Sequence, residues 1–121
     1  MPSVPFVCGL DVVLAVLGGK WKLLVVYHLA RGTHRYGELR RAIGGVSDKV
    51  LIQQLKELQT DGLIERTDYR EIPPRVEYSL SRFGSSLADS MAPLCEWGNK
   101  HEAQVGKIVS RRSNGARVNQ S

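Results

Sequence analysis

The apolar residues change their spacing once along this chain, and that change restricts the folds open to it. Up to Leu58 they recur at helical intervals. Leu10, Val13, Leu14 and Leu17 mark one face, Trp21, Leu24, Val25 and Leu29 a second, Tyr36, Leu39 and Ile43 a third, and Leu51, Leu55 and Leu58 a fourth. Glycine punctuates the runs at Gly18-Gly19, Gly32, Gly44-Gly45 and Gly62. Beyond Gly62 the interval becomes two: Val76, Tyr78 and Leu80 alternate with polar residues, and Leu63 to Tyr69 is rich in strand-forming types. The segment between them, Glu71-Ile72-Pro73-Pro74-Arg75, reads as a stiff, extended loop, because each proline restricts itself and the residue before it. Four helices and a two-stranded hairpin with a protruding tip are therefore expected. A long final helix follows, carried by Leu87, Met91, Leu94, Cys95 and Trp97, in which Pro93 forces a kink or a break.

A chain of 121 residues with 42% apolar content can build one packed core. The expected organisation is a single domain over 1–109 and a basic, disordered tail over 110–121, where no apolar period survives. The longest apolar runs fall far short of the ~20 residues that cross a bilayer, and no basic lead-in precedes the N-terminal apolar residues. Neither a membrane span nor a secretory signal is expected, and the chain is placed in the cytoplasm. Cys8 and Cys95 are isolated in sequence, so no disulfide framework, metal site or cofactor is expected.

Charge is unevenly spread. Arg31 to Lys56 holds six cations against two acids, and Lys100 to Ser121 holds five against one, in a chain whose net charge is +5. Such zones suit a polyanion, although a net charge of this size alone fits an ordinary solvated surface equally well.

Helix, tight turn, helix and hairpin is the order of a winged helix-turn-helix, mostly α with a small β-hairpin. Gly44-Gly45-Val46 is the turn, and the helix it leads into, 47–60, starts at Ser47, a favoured N-cap, with Asp48 at the positive end of its dipole. With its three leucines inward, Ser47, Lys49, Gln53, Gln54 and Lys56 face outward or flank the seam, as a recognition helix entering a major groove requires. Tyr36 opens the preceding helix. Arg40 and Arg41 on that helix, and Arg70 and Arg75 on the wing, 68–76, suit phosphates or an adjacent minor groove. Each residue singly is better explained as surface solvation. Their placement in this order of elements is what favours double-stranded DNA.

The motifs Gly18-Gly19-Lys20-Trp21, Tyr36-Gly37-Glu38-Leu39-Arg40-Arg41, Asp61-Gly62-Leu63-Ile64-Glu65-Arg66, Pro73-Pro74-Arg75-Val76-Glu77-Tyr78 and Leu94-Cys95-Glu96-Trp97-Gly98 run collinearly through most of the chain. In them the sequence resembles the HxlR-type, MarR-like winged-helix transcriptional regulators. The resemblance implies a homodimer on pseudo-palindromic operator DNA, with N- and C-terminal dimerisation helices. It also implies an oxidant or electrophile sensor at Cys8, although Gly9 stands where the family commonly has proline. The competing role for Cys8 is packing at a dimer interface, and Cys95 reads as core.

Two other classes fit less well. His28, His34 and His101 have no ligand spacing, and no carboxylate pair or nucleophile triad stands out, so an enzyme is not expected. A winged-helix module that binds protein rather than DNA is the alternative. The expected effector is a small molecule or an oxidant.

Overall fold

Gly18 ends the first helix, α1 (Gly9–Leu17), by taking a left-handed φ of 54° and returning its N–H to Leu14 O at 2.8 Å. α2 (Lys20–Ala30), a two-residue strand β1 (His34–Arg35), α3 (Tyr36–Ile43) and α4 (Asp48–Thr60) follow. Then come β2 (Ile64–Asp68), β3 (Val76–Leu80), α5 (Arg82–Lys100) and α6 (Glu102–Gln120). This computed structural model describes residues 6–120, and side chains through residue 115. The part of the expected domain before Phe6, and Ser121 of the expected tail, lie outside the described residues.

The chain divides into two units, Met1–Ala88 and Asp89–Ser121. The first is a winged helix-turn-helix. Its core joins Leu17 of α1, Val25, Val26 and Leu29 of α2, Leu39 of α3, Leu51, Leu55 and Leu58 of α4, and Leu63 and Ile64 at the start of β2. α2 packs against α3, α4 and β3, while α4 also packs against β2. Among the described residues no polar or charged residue is buried, so burial of apolar area is the principal force holding these elements together.

The expected hairpin is present but has a third strand. The antiparallel sheet has order β1-β3-β2, with His34 opposite Tyr78 and Arg35 opposite Glu77 on one edge of β3, and Ile64 opposite Leu80 through Asp68 opposite Val76 on the other. A two-residue strand is too short to show alternation; β3 supplies the edge to which it pairs. After β3, Ser81 closes the unit. Its hydroxyl donates toward Gly62 O and accepts from Gly84 N–H at 3.0 Å, the geometry of a helix N-cap.

In the second unit three features differ from expectation: the absence of a break at Pro93, the helix beyond His101 and the partial exposure of Cys95. α5 passes through Pro93 without interruption, since the residues around it are exposed and water can take the carbonyl that proline leaves without a donor. The break falls at His101 instead. There the backbone N–H and the ring Nδ1–H converge on the same carbonyl, Trp97 O, at 3.1 and 2.9 Å, with the imidazole stacked on Trp97 at 4.7 Å. Beyond it α6 runs to Gln120, so the segment expected to be disordered is helical. Good helix formers such as Ala103, Gln104, Lys107, Arg111 and Arg112, with no proline, account for this without an apolar face. No residue from 89 to 115 is buried. The packed core therefore ends with the first unit, and Cys95 is half-buried rather than core.

Candidate nucleic-acid interface

The turn between α3 and α4 needs its two glycines: Gly44 and Gly45 hold φ of 71° and 70°, where a side chain would be strained. Val46 then plugs the core and Ser47 caps α4, its Oγ accepting from Val50 N–H at 3.2 Å. Asp48, the first residue of the helix, ties it back to α3. Its Oδ1 accepts from Tyr36 Oη–H and pairs with Arg40 Nε at 3.2 Å. Burial, followed by the bond and charge of Asp48, pushes the Tyr36 phenol up to about 12. Arg40, Arg41, Gly45, Val46 and Ser47 line an open depression of about 480 Å³ at this end of α4.

Along α4, Lys49, Gln53 and Lys56 are exposed and Gln54 is half-buried; Ile52 is 44% exposed on the same outward side. Gln53 Nε2–H donates to Glu57 Oε1 at 3.1 Å, and Glu57 Oε2 meets Lys22 Nζ of α2 at 2.9 Å. The bond and charge of Lys22, with the bond from Gln53, hold the Glu57 carboxyl below the usual carboxylate range.

At the wing, Tyr69 N–H donates to Arg75 O at 3.0 Å to close the tip, Arg70 adopts a φ of 53°, and Ile72 is fully exposed. Arg75 turns inward. Its guanidinium lies 3.7 Å from the centre of the Tyr69 ring and pairs with Glu71 at 3.1 Å and Glu77 at 3.7 Å. Its Nε is buried without a hydrogen-bond partner among the described residues.

The sequence-predicted cations thus divide. Arg40 and Arg75 are ion-paired within the fold, whereas Arg41, Lys49, Lys56 and Arg70 have no acidic partner within 4.0 Å among the described residues. Arg75, expected with Arg70 to suit phosphates or an adjacent minor groove, lies in this structure against Glu71, Glu77 and the Tyr69 ring. Sequence reasoning placed Asp48 at the helix dipole but not its tie to Tyr36 and Arg40, and it missed Lys22 and Glu57, which hold Gln53. The four-residue interval from Gln53 to Glu57 was visible; the approach of Lys22 from another helix had no local signal.

Cys8, at the N-cap of α1, is an exposed thiol. His28 is half-buried, and burial, followed by the neighbouring charges of His34 and Arg31, lowers its pKa. The Nδ1–H of His34 donates to Gly32 O at 2.7 Å. Among the described residues no group of three metal-ligating side chains is assembled, and no helix is long and apolar enough to cross a membrane.

The profile of the HxlR-like helix-turn-helix family matches residues 16–105. The chain belongs to that family. Its HxlR-like sequence is 46% identical over 99 residues to YkvN of Bacillus subtilis, named an HTH-type transcriptional regulator, across 82% of this chain and 84% of that protein. A transcriptional regulator of the MarR family from Porphyromonas gingivalis W83 superposes with a TM-score of 0.72 at 39% identity, over 81% of this chain and 96% of its own. The redox regulator HypR in its reduced form gives 0.75 at 36% identity, over 83% and 99%. This HxlR-like protein is a helix-turn-helix transcriptional regulator whose partner is DNA, a binding role rather than an enzymatic one.

Proposed function

We propose that the chain works as a homodimer that lays α4 of each protomer into successive major grooves of a pseudo-palindromic operator, with the wing against the adjacent backbone or minor groove. The observation that carries this is the outward row Lys49, Gln53 and Lys56, one face of a capped helix whose cations have no acidic partner among the described residues. Ser47 and Arg41 flank the start of that helix and Arg70 stands at the wing tip, suited to phosphates. Exposed Leu10 and Leu14 on α1, and exposed Leu94 and Trp97 in the second unit, support pairing of two copies, since isolated regulators rarely leave so much large apolar surface to water. Work on chromosomal operators would be done in the cytoplasm.

Selection of bound fragments from genomic DNA, followed by gel-shift titration, tests the reading. Lys49→Ala should relax base preference, and Arg41→Ala should weaken all sequences evenly. A protein that enriches no fragment is the protein-binding module instead.

The exposed Cys8 thiol favours an oxidant or electrophile as effector, as does the likeness to HypR, described as a redox regulator. Mild oxidation is expected to release wild-type protein from its operator and to leave Cys8→Ser bound. An identical response of both proteins removes the sensor from the proposal.

A further inference from the structure

Gln53 follows Lys49 by one helical repeat on the exposed side of α4, and its amide is engaged by a neighbouring carboxylate. Nε2 faces Glu57 Oε1 at 3.1 Å, while the other oxygen of that carboxylate is held by Lys22 Nζ at 2.9 Å. Lys22 is only 14% exposed at its side chain, so the cation fixing Glu57 is itself fixed by the packing of α2 against α4. An ionised carboxylate only accepts, and the two bonds keep Glu57 ionised well into the acid range. The flipped amide would set Oε1 against Oε1. Glu57 therefore dictates which way the amide of Gln53 faces.

A primary amide has one N–H on the side away from its oxygen and one beside it. When the first is given to Glu57, the second and Oε1 remain as a donor–acceptor pair along the outer edge. In the major groove, adenine offers N7 as acceptor and N6–H as donor, which matches that edge. Guanine offers two acceptors, N7 and O6, and does not. We propose that Lys22 and Glu57 are positioning residues that hold Gln53 in the sense that reads one adenine in each half-site. This rests on the reading of α4 as the groove-entering helix.

The test is selection from a random duplex pool with the full chain, then competition titration on the enriched sequence and its single-base variants. Wild type enriches an adenine at one fixed position of each half-site, and Gln53→Ala abolishes preference there. Glu57→Gln places an amide opposite that can donate or accept, so either orientation of Gln53 becomes available. It is expected to cut the adenine preference roughly five- to hundredfold, with the other positions unchanged. Lys22→Met moves the same position in the same direction. Where a single variant fails to fold by circular dichroism, the charge-free pair Lys22→Met with Glu57→Leu takes its place. An adenine preference that survives in folded Glu57→Gln or in the double variant, or enrichment with no position dependent on Gln53, overturns this proposal alone. Enrichment of nothing by wild type overturns the groove reading beneath it.

Discussion

Arg70 and Arg75 lie on one wing tip with the same charge and have different surroundings. Arg75 has two glutamates and an aromatic face around it, while Arg70 has no acidic partner among the described residues. Sequence reasoning treated them alike because the partners of Arg75 are made by the register of β2 against β3, which brings Glu77 and Tyr69 to it. Glu57 makes the same point with a measurable sign. Its folded pKa is depressed from 4.5, so the unfolded state binds more protons in mildly acid solution. The stabilisation from the Lys22–Glu57–Gln53 chain is fully present above that value and is lost as pH falls through the folded pKa. The melting temperature of wild type should exceed that of Glu57→Gln at neutral pH, with the gap closing once the solution is acidified below 4.5. A gap that stays constant, or widens in acid, means that the carboxylate is not held by Lys22.

At the scale of elements, the four helices of the helix-turn-helix were legible because each has an apolar period bounded by glycine, and the hairpin because the period switches to two. β1 was too short to carry any period. The interruption at His101 depends on a ring bonding to a carbonyl four residues back, which spacing cannot announce. Gly84 belongs to the same class. A Cβ there would stand 2.0 Å from Leu63 O and 3.2 Å from Leu80 Cδ2, because the start of α5 docks directly on the backbone that enters β2. In an exposed helix Gly→Ala would gain up to ~1 kcal/mol from propensity. Here the contact is with backbone, which cannot swing aside, and overpacking of this kind costs about 1–3 kcal/mol or more. Gly84→Ala should therefore lower the denaturant midpoint despite the better helix former. An unchanged or raised midpoint means that α5 shifts freely away from Leu63.

For the whole molecule, charge was legible in amount but not in availability. Composition shows a basic excess between Arg31 and Lys56, and folding then sets Arg40 beside Asp48, as it sets Arg75 beside Glu71 at the wing. The distinction reaches binding through counterion release, which counts the phosphates neutralised rather than the cations present. If the contacts come from Arg41, Lys49, Lys56 and Arg70 of two protomers, the slope of log K against log salt should be about −7. Were Arg40 and Arg75 also free to neutralise phosphate, it would approach about −11, and one protomer acting alone would give about −4. Titration of a selected operator at a series of salt concentrations, with sedimentation of the unbound protein to fix its oligomeric state, separates the three cases. Arg75→Met sharpens the measurement. It should leave the slope unchanged while weakening affinity through a loosened wing, and a slope that flattens by about two on that substitution would restore Arg75 to the phosphate-contacting set.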